Sequence, residues 1–224
     1  MAPDIVKYHL CRVVLPQQRV LQALNGPPDK KMQPAPRPVE HQAHRQRLLE
    51  GMARSVAAKG YAASTVSDIV REAEVSRRTF YEYFSGRAEC LIALYEAASF
   101  GALRVLRSTL DPSRSWQSQV EQALQAYFDC LASDPVLLRT LYVEILGLGA
   151  PGLAARRRVN QDIADFMLTV INSDPSRALL APDMAMVVVG GINELILLAI
   201  EQDNIQRIPA ITATAAALIR AVVD

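Results

Sequence analysis

The chain has 224 residues, half of them apolar, with 24 Lys and Arg set against 23 Asp and Glu. That is the composition of a globular protein with one large or two small domains. A net charge of +1 excludes a polycation, so any hold on nucleic acid must come from a local basic patch. Cys11, Cys90 and Cys130 are too few and too widely spaced for a disulfide framework or a CxxC metal site, which points to a reducing cytoplasm. Lys7, His9 and Arg12 interrupt the apolar residues of Met1–Pro16, so a secretory signal is not expected there.

Residues 1–40 differ from the rest of the chain. A weakly apolar run, Ile5–Leu24, leads into Asn25-Gly26-Pro27-Pro28 and the series Pro34, Pro36, Pro38, a composition that favours an extended linker over a helix. They are expected to form a disordered N-terminal extension; one reading places the native start at Met32. Lys7, Arg12, Arg19, Lys30, Lys31 and Arg37 could furnish a DNA arm, but a dispensable extension is the expectation.

From His41 onward the apolar residues recur at helical spacing. Leu48, Leu49, Met52, Ala53, Val56 and Ala57 mark a first helix that should end near Gly60. Thr65-x-x-Asp68 reads as a capping box opening a second helix of about two turns, with Val66, Ile69, Val70 and Ala73 on its apolar face. Ser76 caps a short third helix through Phe84, in which Val75, Phe80 and Phe84 face one way and Arg77, Arg78, Tyr81 and Glu82 largely the other. Beyond the Ser85-Gly86 break, Cys90, Leu91, Leu94, Tyr95 and Ala98 begin a longer fourth helix. Further helices are expected at about Trp116–Ala132, Pro135–Leu148, Leu153–Asn172, Pro182–Asp203 and Ile208–Val223, separated by Pro, Gly, Asp and Ser signals. With no sustained two-residue alternation, the expected fold class is all-α.

The informative unit is Thr65–Phe84, two short amphipathic helices around a tight turn. A helix-turn-helix of this kind lays its second helix in the major groove, where an Arg fork matches the O6 and N7 acceptors of guanine. Arg77 and Arg78 are therefore the expected base readers. Thr65, Ser67, Ser76, Thr79, Tyr81 and Tyr83 carry hydroxyls suited to phosphate or groove contacts, and Arg87 at the start of the fourth helix would add a phosphate contact. Arg45 and Arg47 lie where the flanking backbone would pass.

These residues resemble the DNA-binding domain of the TetR family of bacterial regulators. The likeness rests on Thr65-Val66-x-Asp68-Ile69, Val75-Ser76, Thr79-Phe80-Tyr81-x-Tyr83-Phe84 and Gly86-Arg87-x-Glu89-x-Leu91. It implies a three-helix DNA-binding head, here residues 41–101 with the helix-turn-helix at 65–84, joined to an effector-binding and dimerisation body, residues 102–224. It also implies a homodimer through the last two helices and a two-state switch in which a small molecule in the body releases the operator. Repression is the expected sense, with activation the alternative. One departure is Glu74, which stands in the turn where the family has Gly; a left-handed non-glycine residue costs about 1 kcal/mol.

In the body, Pro182–Asp203 is apolar on more than one side: Met184, Val187, Val188, Ile192, Leu195 and Ile196 form one stripe, with Met186, Val189, Leu197 and Ile200 spread round the cylinder. Asn193 and Glu194 within it argue against a membrane span. The last helix adds Ile208, Ile211, Ala215, Leu218, Ile219 and Val222, and the pair suits a two-fold interface across residues 182–223. Trp116, Tyr127, Phe128, Tyr142, Phe166 and Met167, with Asn193 or Glu194 as a polar contact, are the candidate lining of a pocket for a hydrophobic effector.

An enzyme is not expected. His9, His41 and His44 lie in or beside the extension, no phosphate-binding glycine loop is present, and neither a metal nor a cofactor is called for. The expected function is a sequence-specific regulator that binds a pseudo-palindromic operator as a homodimer. The alternative is a helical ligand- or partner-binding module without specific DNA binding.

Overall fold

A computed structural model describes residues 38–111, 113–173 and 179–223. The stretch 1–37, with the possible start at Met32 and the basic residues before it, lies outside the described residues. Among these, every regular element is helical, and they divide into two compact units, 38–94 and 95–223.

The first unit is built from α1 (Pro38–Ala63), α2 (Val66–Ala73), α3 (Arg77–Tyr83) and the start of α4 (Arg87–Ser108). Its core is the apolar set that the periodicity singled out: Leu48, Met52, Ile69, Phe80 and Leu91 are fully enclosed, with Leu49, Val56, Val70, Ala73, Phe84 and Cys90 around them. The backbone leaves helical geometry at Gly60 (φ 76°, ψ 162°), where the sequence placed the end of the first helix, and a last turn carries on to Ala63. A buried pair of hydroxyls secures this joint: Ser55 Oγ donates to Ser64 Oγ at 2.9 Å, and Ser64 Oγ donates to the Gly60 carbonyl at 2.8 Å.

The crossing of α1 and α2 depends on a missing side chain. A Cβ on Gly51 would sit 2.6 Å from the Ile69 carbonyl oxygen and 2.9 Å from the Ala73 Cβ. The first contact is with backbone, which cannot swing aside as a long side chain would.

The second unit contains α4 from Tyr95 onward, α5 (Trp116–Ala132), α6 (Pro135–Arg139), α7 (Ala150–Ile171), α8 (Pro182–Glu201) and α9 (Ile211–Val223). In place of one regular helix over Pro135–Leu148, α6 gives way to a π-helical stretch at Thr140–Glu144 and a 3-10 turn at Leu146–Leu148. Two contacts accompany this change, one within the segment and one with the next helix. Thr140 Oγ1 bonds the Val136 carbonyl at 2.8 Å, competing for an acceptor of the regular ladder. The Ile145 carbonyl is also packed against Gly152 so closely that a Cβ there would lie 1.9 Å from its oxygen. Likewise, α9 starts at Ile211, because Ile205–Ala210, with Pro209 inside it, is a 3-10 segment.

The expected stripe of α8 divides. Val188, Ile192 and Ile196, with Val189, Asn193 and Ile200, are buried in the body's core, whereas Met184 and Val187 face out beside Leu198. By length and composition α8 could cross a membrane; its inner face is instead occupied by packing on α7 and α9. Asn172 holds the entry to this helix, accepting from the Leu180 N–H at 2.8 Å and donating to the Leu180 carbonyl at 3.1 Å.

Gly51→Val forces α1 and α2 apart and is expected to destabilise the first unit by about 1–3 kcal/mol, the usual cost of overpacking. Amide exchange of residues 66–73 reads the loss; unchanged protection would show that the crossing tolerates a side chain.

Candidate nucleic-acid interface and ligand cavity

The start of α2 is fixed by Asp68, a buried carboxylate. Its Oδ2 accepts the Thr65 backbone N–H at 2.9 Å and the Thr65 hydroxyl at 2.6 Å, and the Asp68 N–H donates back to Thr65 Oγ1 at 3.2 Å. This is the capping box expected from the sequence. Lys59 Nζ bonds the same oxygen at 2.5 Å, and Arg71 lies 3.3 Å from the other. Hydrogen bonds from Lys59 and Thr65 hold the Asp68 carboxyl well below the ordinary carboxylate range.

At the other end of α2, Glu74 adopts φ 53° and ψ 44°, the left-handed conformation that favours glycine, and its N–H donates to the Arg71 and Val70 carbonyls. The chain then enters α3, whose first turn is capped by Ser76: Thr79 N–H donates to Ser76 Oγ at 3.0 Å, and the two hydroxyls lie 2.9 Å apart. Phe80 is sealed in the core, which turns Arg77, Arg78, Tyr81 and Glu82 outward. Arg78 pairs with Glu82 at 3.2 Å in full exposure, a contact worth little in water. Among the described residues no carboxylate pairs with Arg77.

The remaining expected contacts sort differently. Ser67 is exposed at the start of α2 and Tyr81 is half exposed on α3, both without competing side-chain bonds among the described residues. Thr65 and Ser76 are exposed and Thr79 is partly buried, and all three are engaged in capping. Tyr83 packs on His41 with ring centroids 4.4 Å apart, so that histidine serves the junction of α1 and α3. Arg87 acts as a structural tie. Its Nη1 donates to the carbonyls of Tyr61 (2.9 Å), Ala62 (3.2 Å) and Ser64 (2.5 Å), and its guanidinium lies over the Tyr61 ring. It joins the start of α4 to the end of α1, which leaves less of it for a phosphate. Arg45 lies over the Phe84 ring, 5.9 Å from its centroid.

Two adjoining cavities lie between the body's helices, beside wider grooves that run along Phe100 and Leu103. The larger of the two, of about 80 Å³, has an apolar lining that includes Leu106, Leu124, Phe166, Met167, Val189 and Ile219. The smaller, of about 40 Å³, is lined by Tyr95, Ser99, Tyr142, Arg156 and Asn160 among others. Tyr127, Ile163 and Asn193 line both. Tyr142 donates from its hydroxyl to Asn193 Oδ1 at 3.3 Å, and Asn193 Nδ2 donates to Asn160 Oδ1 at 3.0 Å. Burial pushes the Tyr95, Tyr127 and Tyr142 hydroxyls above the ordinary phenol range, so all three stay neutral.

Of the residues expected at the effector pocket, Tyr127, Phe166, Met167 and Asn193 line the larger cavity, and Tyr142 and Asn193 the smaller. Phe128 is fully buried in the core and lines neither, Trp116 packs at the core's edge, and Glu194 faces out from α8. Tyr95 was expected only as part of the fourth helix, and Arg156 and Asn160 were not expected at the pocket. Their signal was present on α7: Arg156, Asn160, Ile163, Met167 and Val170 recur every three or four residues, one face with a polar beginning and an apolar end.

The model of the TetR family of bacterial regulatory proteins matches residues 48–94. No curated protein matches the sequence. Among solved structures, the chain is similar to the transcriptional regulator FadR from Bacillus subtilis in complex with stearoyl-CoA (TM-score 0.66, 16% identity, covering 77% of this chain and 95% of that one). It is also similar to SmeT, the repressor of the Stenotrophomonas maltophilia multidrug efflux pump SmeDEF (TM-score 0.65, 17% identity, 83% and 93% covered). The fatty acid degradation regulator FadR from Bacillus halodurans gives a TM-score of 0.63 at 17% identity, with 84% and 96% covered. At such identities the likeness is one of fold.

Asp68→Asn tests the electrostatic anchor. Because the folded-state carboxyl titrates below its unfolded counterpart, its contribution is complete above the ordinary carboxylate pKa of about 4 and is lost as the pH falls. The variant should melt below the wild type at about pH 7, and the gap should begin to narrow only once the pH falls below about 4, shrinking steadily with further acidification. A gap independent of pH would mean that the lost charge is not the cause.

Proposed function

We propose that this chain, whose residues 48–94 match the TetR family of bacterial regulatory proteins, is a cytoplasmic repressor that leaves a pseudo-palindromic operator when a hydrophobic small molecule fills its body. The observation that carries the reading is the presentation of α3. Phe80 anchors the helix, Glu74 sets its entry, and Arg77 and Arg78 stand on the outward face near its N-terminus. In this reading Arg77 and Arg78 read bases in the major groove, and Ser67, Thr79 and Tyr81 fix the register on phosphates. Arg78 exchanges its weak bond to Glu82 for a guanine edge.

The dimer is proposed through α8 and α9. Met184, Val187, Gly190, Gly191, Glu194 and Leu198 share one exposed face of α8; Val187 is 63% and Leu198 46% exposed. Ala213, Ala217, Leu218 and Ala221 form the exposed face of α9, small enough to let backbones approach. A second copy covering both faces completes a four-helix interface. Two-fold symmetry then sets the half-sites about one DNA turn, ~34–36 Å, apart. The effector occupies the cavity between α4, α5, α7 and α8, whose lining is apolar.

Selection from random duplexes at two salt concentrations should enrich a two-fold symmetric site whose affinity falls steeply with salt, through counterion release. Arg77→Ala with Arg78→Ala should abolish the enrichment, each lost bidentate contact being worth ~1–3 kcal/mol. A folded dimer that enriches no sequence would instead support a ligand- or partner-binding module. Val187→Glu places a charge on the proposed interface and should give monomers in sedimentation and lose operator binding; an intact dimer would place the interface elsewhere.

A further inference from the structure

The two body cavities share Tyr127, Ile163 and Asn193 as a partition, and their chemistries differ. One side is hydrocarbon apart from Asn193 and the Tyr127 hydroxyl. The other gathers neutral phenols, two amides and the Arg156 guanidinium. The groups facing Arg156 from the packed elements are Tyr95 on α4 and Tyr142 on the π-helical stretch, both kept protonated by burial. The nearest carboxylate on α4, Glu96, is bound to Arg158 at 2.6 Å. Among the described residues, Arg156 therefore has no anionic partner, although it is partly buried where it lines this cavity. Phenol and amide donors beside an uncompensated guanidinium form an acceptor site for a planar anion.

Resting on the reading of the body as the effector site, we propose that the two cavities are the ends of a single site for an amphiphilic monocarboxylic acid. Its carboxylate is held by Arg156 with Tyr142 and Asn160, and its apolar body lies in the chamber lined by Leu124, Phe166 and Met167. Asn193 is the polar hinge of the site: it already bonds both Tyr142 and Asn160 and stands where the carboxylate joins the chain. The two spaces, about 80 and about 40 Å³, suit a short body. Met167, an unbranched and only partly buried thioether, is the side chain best able to yield to a longer chain. Neutral molecules of the same length gain the chamber but forgo the guanidinium.

The test is calorimetric titration of the full-length protein with octanoate and with 1-octanol, repeated on Arg156→Gln, Arg156→Lys and Val170→Trp. Octanoate should bind about tenfold or more tightly than 1-octanol, the usual worth of a charged hydrogen bond. Arg156→Gln should bring the two within about twofold of each other by weakening octanoate alone, so that unchanged 1-octanol binding certifies the fold; Arg156→Lys should recover part of the preference. Val170→Trp, which fills the chamber from a partly exposed position, should weaken both ligands. Equal binding of acid and alcohol, both sensitive to Val170→Trp, would overturn carboxylate recognition and leave the effector site standing. Binding of neither, or binding indifferent to Val170→Trp, would overturn the effector reading and this inference with it.

Discussion

The surface of the first unit proposed to read DNA depends on one buried carboxylate. Asp68 gathers the Thr65 amide and hydroxyl, the Lys59 ammonium and the Arg71 guanidinium, and so fixes the residue at which α2 begins. From that start α2 has eight residues before Glu74 reverses the chain, and α3 enters at the angle this turn sets. The left-handed Glu74 costs about 1 kcal/mol relative to glycine, and its N–H is satisfied by two carbonyls of α2. The turn is thus a strained joint between two capped helices, held by the ends rather than by itself.

The second unit has a different constraint, an excess of apolar surface on α8. A helix with Val188, Ile192 and Ile196 on one face and Met184, Val187 and Leu198 on another cannot be satisfied by a single core. Within one copy the first face is covered and the second is not. Asn193 is the exception on the covered side: a buried amide in an apolar helix is costly unless bonded, and it is bonded at both ends, to Tyr142 and Asn160. The same amide separates the two cavities, so the group that most needs partners in the core also divides hydrocarbon from polar space.

Legibility from sequence tracks how local the causes are. The capping box at Thr65 and Asp68, the cap at Ser76 and the break at Gly60 are decided within a few residues, and the structure places them where the residues said. The α-helix expected at Pro135–Leu148 was not readable to its end, because its departure from α geometry involves the approach of Gly152 to the Ile145 carbonyl, a contact between elements. The structural role of Arg87 was hidden for the same reason: a guanidinium beside a helix start suits a phosphate equally well until three carbonyls from the end of α1 are seen to surround it. In the body, periodicity identified apolar residues but not their side, so Phe128 went to the core and Glu194 to the surface, while Tyr127 and Asn193 reached the cavities.

The size of the cavities bears on how the proposed switch would work. A ligand can lower operator affinity only by the ratio of its affinities for the DNA-competent and DNA-incompetent states, and bound operator must weaken the ligand by the same factor. A ligand that fitted the resting body without disturbance would bind both states alike and shift nothing. The apolar chamber, at about 80 Å³, is smaller than the ~150 Å³ apolar cavity that accommodates benzene, so a larger ligand gains room only by moving part of its lining or by extending into the groove beside Phe166 and Val170. Phe166 and Met167 are only partly buried and can move, whereas Leu124 and Val189 opposite them are locked in the core. Part of the ligand's binding free energy is then consumed in repacking α7 against its neighbours, and a state already repacked binds the ligand better by that amount. Tight packing around an undersized chamber is therefore a source of the differential affinity that a ligand-operated regulator requires.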